Sequence, residues 1–242
     1  MTILESDRVK TMFTKSTQDW TPSSAEHEAF VLFAPVSPDP ETSRLCSSIL
    51  SDAELKRAER FLTLDGREHF LQRRAFRRHC GAIAVGTHEP LSQIVFEETE
   101  KGRPYLPASP DLWFSFSSCR FGFLGAWSST QAIGVDLEDR TRMVEAIELA
   151  DQFFSKPEAK MVERAVGAER LRTFFQLWCL KEAALKSIGE GLPAGLAAFE
   201  FELSPDLRIV NAPREHGEPE QFVAHLIENA NTCAALVVRT LA

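Results

Sequence analysis

Three carboxylates stand where ordinary packing has little use for them. Ala132-Ile133-Gly134-Val135-Asp136-Leu137-Glu138 reads as a buried strand ending in acid. Residues i and i+2 of a strand point to the same side, so Asp136 and Glu138 present their carboxylates together. Such neighbours repel, and without a cation each raises the other's pKa. Hydration at an exposed strand end is the plain alternative. The third acid is Glu182. Wound at about 100° per residue, the segment Glu169–Ile188 puts Leu171, Phe174, Phe175, Trp178 and Leu185 on one apolar stripe, with Glu182 near its middle. A carboxylate facing a core is costly unless it is paired, protonated or bound to metal. Lys186, one turn on, is its candidate partner along the helix. Together the three acids suit a hard divalent cation such as magnesium, usually held by one or two carboxylates with phosphate oxygens and water.

The elements around these acids follow from period and punctuation. Ala29–Ala34 reads as a strand, followed by a loop with Pro35, Pro38 and Pro40. Ser51 or Asp52 caps a helix over 53–64, and a second helix covers 67–85, the two separated near Asp65-Gly66. Strands are expected at 112–117, 121–128 and 132–137, after the turn Gly102-Arg103-Pro104. A helix spans 143–154, and Ser155, Pro157 and Glu158 open another. The 169–188 helix ends at Gly189, and strands return at 199–203, 208–210, 221–226 and 233–238. That order predicts an α+β protein of two similar-sized halves. Residues 1–28 form a loosely ordered start, 29–130 one lobe with the basic helical region, and 131–242 a second lobe carrying the acids.

Composition narrows the function. With 44% apolar and 26% charged residues among 242, the chain can bury a core and is expected to be globular. No run approaches the roughly 18–20 apolar residues of a membrane helix, and the start lacks the apolar stretch of a signal peptide. No membrane role and a cytoplasmic location are expected. The five cysteines are scattered, without a Cys-x-x-Cys pair, and are read as reduced thiols, mostly buried. A net charge of −8 argues against nucleic acid as a partner. Yet Lys56, Arg57, Arg60, Arg67, Arg73, Arg74, Arg77 and Arg78 crowd between Glu54 and His79, against four acids. Either this is a solvated helix face, or it meets a compact anion.

Gly134-Val135-Asp136-Leu137-Glu138, followed by Trp178-Cys179-Leu180-Lys181-Glu182-Ala183-Ala184-Leu185-Lys186, resembles the paired signature of 4′-phosphopantetheinyl transferases. Length and the extra N-terminal half are similar to the two-lobed, monomeric type that activates peptide and polyketide synthases. Phe153-Phe154-Ser155-Lys156-Pro157-Glu158 and Gly189-Glu190-Gly191-Leu192 sit where that type has similar segments. The resemblance implies two pseudo-symmetric lobes with the active site at their interface. It also implies transfer of the phosphopantetheine arm of coenzyme A to a serine of an apo acyl or peptidyl carrier protein, leaving adenosine 3′,5′-bisphosphate. Carried over by position, Asp136, Glu138 and Glu182 hold Mg2+, Glu182 or a water it orients takes the serine proton, and Lys186 meets phosphate charge. Arg57 and Arg103 match basic positions that contact coenzyme A, and His69 falls where arginine is more usual. Where the family often has Ser-His-Ser, this chain reads Phe116-Ser117-Ser118-Cys119, with Ser118 at the histidine's place. Serine donates a hydrogen bond but no charge, and Arg120 is the nearest substitute in sequence. Two rivals remain open: a metal-dependent phosphohydrolase using the same acids, and a coenzyme A- or carrier-binding module that has lost catalysis.

Overall fold

The computed structural model describes residues 29–189 and 195–241. The expected loose start, and Glu190-Gly191-Leu192 of the last motif, lie outside them. The described chain is α+β, and its two halves repeat one order: a strand, three helices, then a hairpin whose second strand becomes the centre of a three-stranded antiparallel sheet. In the first half these are β1 (Phe30–Pro35), α1 (Pro40–Ser47), α2 (Asp52–Ala58), α3 (Leu64–Ala84), the short pair β2 (Glu97–Glu98) and β3 (Pro104–Tyr105), then β4 (Trp113–Cys119) and β5 (Gly122–Ser128). The second half runs β6 (Gln131–Asp139), α4 (Ala146–Phe153), α5 (Lys156–Arg164), α6 (Ala168–Ser187), the pair β7 (Glu200–Glu202) and β8 (Arg208–Asn211), then β9 (Phe222–Glu228) and β10 (Thr232–Thr240). The sheets are ordered β1-β5-β4 and β6-β10-β9.

Each half has its own core, and a third apolar cluster lies between the sheets. Leu124 and Ala126 of β5 meet Ile133, Val135 and Leu137 of β6 and Leu236 and Val238 of β10 there. Strand parity then turns Gly134 and Asp136 to the opposite face, towards α6. β4 lies against β6, and two serine hydroxyls link them. Ser115 Oγ accepts from the Val135 amide at 2.9 Å, and Ser117 Oγ donates to Asp136 Oδ1 at 2.9 Å.

The helices depart from expectation in three places. The proline loop contains α1, capped by Asp39 with Pro40 in its first turn, where a missing amide costs nothing. The break between α2 and α3 falls at 59–63 rather than at Asp65-Gly66, because Thr63 caps α3 through the Gly66 amide. Third, α6 is not amphipathic: it packs on both β6 and β10 and is buried almost all round. Its fully buried charge is Lys181, not Glu182. Lys181 Nζ pairs with Glu158 at 2.6 Å and donates to the Leu196 carbonyl, while Glu158 accepts from the Ser155 and Phe201 amides.

A second buried network fixes α2 to α3. Glu54 completes the capping box with Ser51 and takes Arg74 at 2.6 Å and Arg78 at 2.7 Å. Burial alone would raise the Glu54 carboxyl, but hydrogen bonds from Arg78, the Ser51 amide and Arg74 outweigh it and lower it from 4.5 to about 2. A depressed carboxyl stabilises the fold above its unfolded value, and that contribution is lost as pH falls through its folded value. Glu54→Gln should therefore cost about 3 kcal/mol at pH 7 and almost nothing near pH 2. Urea melts of both proteins across that range check it; an equal difference at both ends would exclude the linkage.

Candidate active site

The four residues of the acid site come from two elements. β6 supplies Asp136 and Glu138, and α6 supplies Glu182 and Lys186. The line Trp178–Glu182–Lys186 is partly exposed, whereas Cys179, Leu180, Lys181, Ala183, Ala184 and Leu185 are buried. Glu182 thus sits on the open edge of α6, a correction to the apolar-stripe expectation. Helical period gives which residues share a line, but not what covers it.

Asp136 is the centre. It is 4% exposed, and its Oδ1 accepts from Lys186 Nζ at 2.7 Å as well as from Ser117. Lys186 Nζ also donates to the Val135 carbonyl at 3.1 Å. Burial disfavours the ammonium, yet Asp136 and Glu182 hold its pKa above the usual lysine value. Glu138 pairs with Arg142 at 3.0 Å, but burial and then the Asp136 charge push its carboxyl up to about 7. Glu182 is raised by burial, drawn back by Lys186 and raised again by Asp136.

Among the described residues, no three His, Cys, Asp or Glu side chains are grouped as a ready metal cage. Asp136 is turned to Lys186, and Glu138 to Arg142. The donor set nevertheless fits a hard cation. Asp136 Oδ2 is buried with no hydrogen-bond partner, and two neighbouring carboxyls are held above their ordinary values by burial and by the Asp136 charge.

A groove leads away from these residues in three contiguous stretches. The first is lined by Glu182, Lys186, Arg103, Lys101, Arg77 and Phe116, among others. The second shares Arg77 and Phe116 with it and adds Arg73, Ser117 and Ser118. The third shares Arg73 and Ser118 and reaches His69, Cys119 and Arg120.

Of the expected coenzyme A contacts, Arg103 is in this groove, its guanidinium 4.2 Å from the Trp113 ring centre and its Nη1 buried without a hydrogen-bond partner. Ser118 lines the groove, while Ser117 spends its hydroxyl proton on Asp136. His69 Nε2 lies 3.1 Å from the Cys119 carbonyl. Burial lowers its pKa, the Cys119 carbonyl opposes that shift, and the nearby Arg73 charge adds to it. Arg57 is exposed beside the Phe70 ring and is not among the groove-lining residues. Arg120 is committed to Asp139 at 2.7 Å. Arg73 and Arg77 also line the groove; both belong to the basic run read from the sequence, though that run did not set them apart from Arg74 and Arg78, and Lys101 was not named. The signal was present for the first two, since His69, Arg73 and Arg77 recur every four residues along one side of α3.

Residues 132–237 match a family model described as the 4′-phosphopantetheinyl transferase superfamily. The chain is 29% identical over 204 residues to the 4′-phosphopantetheinyl transferase HetI of Nostoc sp., covering 83% of each chain. It is 33% identical over 126 residues to the 4′-phosphopantetheinyl transferase Sfp of Bacillus subtilis, covering 52% of this chain and 55% of that one. This chain thus spans most of HetI but only about half of Sfp. A solved holo-(acyl-carrier-protein) synthase of Bacillus anthracis in complex with coenzyme A matches 47% of this chain and 99% of its own at 14% identity and a TM-score of 0.37.

Proposed function

We propose that this chain, which carries a domain of the 4′-phosphopantetheinyl transferase superfamily, moves the phosphopantetheine arm of coenzyme A onto a serine of an apo acyl or peptidyl carrier protein. The observation that carries the reading is Asp136 joined to Lys186 at the head of an arginine-lined groove. Asp136, Glu138 and Glu182 would hold Mg2+ in this reading. When bound, that ion neutralises pyrophosphate charge.

The chain's own groups do the rest. Arg103, Arg77 and Lys186 hold and screen the pyrophosphate, so the β-phosphorus meets the serine hydroxyl without excess negative charge. The serine oxygen forms a new bond to that phosphorus, and the bridging oxygen leaves with the bond's electron pair as adenosine 3′,5′-bisphosphate. Glu182 takes the serine proton, directly or through a water it orients, a task suited to a carboxyl raised above its ordinary value. Lys186 faces the charge that grows on the leaving oxygen.

One chain supplies both walls of the cleft, so a monomer suffices. No helix among the described residues is long and apolar enough to cross a membrane, and we assign the enzyme to the cytoplasm. Intact-mass analysis tests the reading: an apo carrier incubated with coenzyme A, Mg2+ and this protein should gain one phosphopantetheine arm. Coenzyme A consumed with the carrier mass unchanged would point to phosphate hydrolysis instead.

A further inference from the structure

The arginine run of α3 sorts onto two faces. Arg74 and Arg78 are tied to Glu54. Arg73 and Arg77, one position earlier in each pair, line the groove. One turn of helix separates them, about 6 Å along the axis. Their guanidinium groups lie 5.8 Å from the Phe70 ring centre and 5.1 Å from that of Phe116. The Nε atoms of both are buried with no hydrogen-bond partner. Among the described residues, the one acid near either is Glu98, 3.7 Å from Arg77 with its side chain 60% exposed. Burial first, and neighbouring arginines second, lower both pKa values, that of Arg77 to about 10. Keeping two such cations half-buried and mutually repelling is costly unless an anion with well-separated charges lies along them.

The groove dictates which charge each meets. Transfer occurs beside Glu182 and Lys186, so the pyrophosphate occupies the first stretch, which Arg77 lines and Arg73 does not. Coenzyme A has one other phosphate, the monoester on its ribose, and this must lie farther along. The far stretch contains the acids Asp65 and Glu68, so an anion there needs a committed cation. Ser118 carries no charge, burial disfavours the charged form of His69, and Arg120 is paired with Asp139. Among the described residues lining that stretch, Arg73 is the guanidinium with no carboxylate in a close ion pair, feeling Glu98 only at longer range.

We propose that Arg73 makes this enzyme select coenzyme A over 3′-dephospho-coenzyme A, gripping the ribose phosphate with Ser118 while Arg77 serves the pyrophosphate. The proposal rests on the transferase reading, and the test separates the two. Transfer to an apo carrier is followed by intact mass with each donor in turn, and kcat/KM is determined for both. Wild type should use coenzyme A far better than the dephospho donor. Arg73→Gln should lose about 10- to 100-fold on coenzyme A alone, so the ratio collapses towards one, and Arg73→Lys should restore part of it. Equal losses on both donors, or no loss on either, would overturn the role of Arg73 while leaving the transferase reading intact. Absence of wild-type transfer from coenzyme A would overturn both. Inhibition of the wild type gives a check independent of variant folding: adenosine 3′,5′-bisphosphate should compete at least about tenfold better than adenosine 5′-monophosphate, and equal potency would refute the proposal.

Discussion

Asp136→Asn should abolish carrier modification, lowering the rate by at least about a hundredfold, while the protein stays folded. Asparagine keeps the shape and can still accept from Ser117 and Lys186, so β4, β6 and α6 remain joined. What disappears is the charge that raises the Lys186 pKa and repels Glu138 and Glu182. The stability loss should be modest, about 1.5–3 kcal/mol, because the Lys186 ammonium keeps the Val135 carbonyl. Two readouts separate site damage from fold damage. Far-UV circular dichroism should be unchanged, and added Mg2+ should raise the melting temperature of wild type but not of the variant. An active Asp136→Asn protein would remove Asp136 from the chemistry, whatever holds the metal.

How much of this was legible beforehand depended on the range of the interaction involved. The pairing of Asp136 with Glu138 follows from the two-residue period of a strand, and the line Trp178–Glu182–Lys186 from the helical period. Both are local geometry, and both hold. What lies over a line is tertiary. Glu182 therefore read as a buried acid when the buried charge is its neighbour Lys181, whose partner Glu158 comes from another helix. The arginines of α3 show the same limit. Charge counting gave a basic surface, but only Glu54, reaching across from α2, decides that Arg74 and Arg78 are structural and leaves Arg73 and Arg77 for the groove. Helix α1 was missed for a different reason. Pro38 and Pro40 read as loop, although Asp39-Pro40-Glu41 also carries the cap, the tolerated first-turn proline and the first-turn acid of a helix start. The Ser-Ser pair at 117–118 proved divided, one hydroxyl bonded to the acid site and the other lining the groove.

Among the described glycines, Gly134→Ala should be the most damaging added methyl, because the backbone of α6 is seated directly on that residue. Its role is contact. A Cβ built there would stand 1.9 Å from the Ala183 carbonyl oxygen and 2.5 Å from the Ser187 amide nitrogen. Both are backbone atoms of α6, so no side chain can turn aside, and the helix itself must lift from β6. Overpacking a core ordinarily costs about 1–3 kcal/mol, and a clash with helix backbone should lie at or above the upper end. The functional loss should be larger than the stability loss. Ala183 follows Glu182, and Ser187 follows Lys186, so the displaced stretch is the one that brings Glu182 and Lys186 to Asp136. A shift of about 1 Å in such a constellation can cost about a hundredfold in rate. The expected result is a less stable protein, with a melting temperature several degrees lower, and with transfer nearly abolished even at temperatures where it is fully folded. Gly125→Ala offers a contrast, since the atoms its Cβ would meet belong to the side chains of Cys80 and Phe116, the nearest at 2.9 Å, and these can move. Near-normal transfer by folded Gly134→Ala would mean that α6 does not need its seat on β6 to align the site.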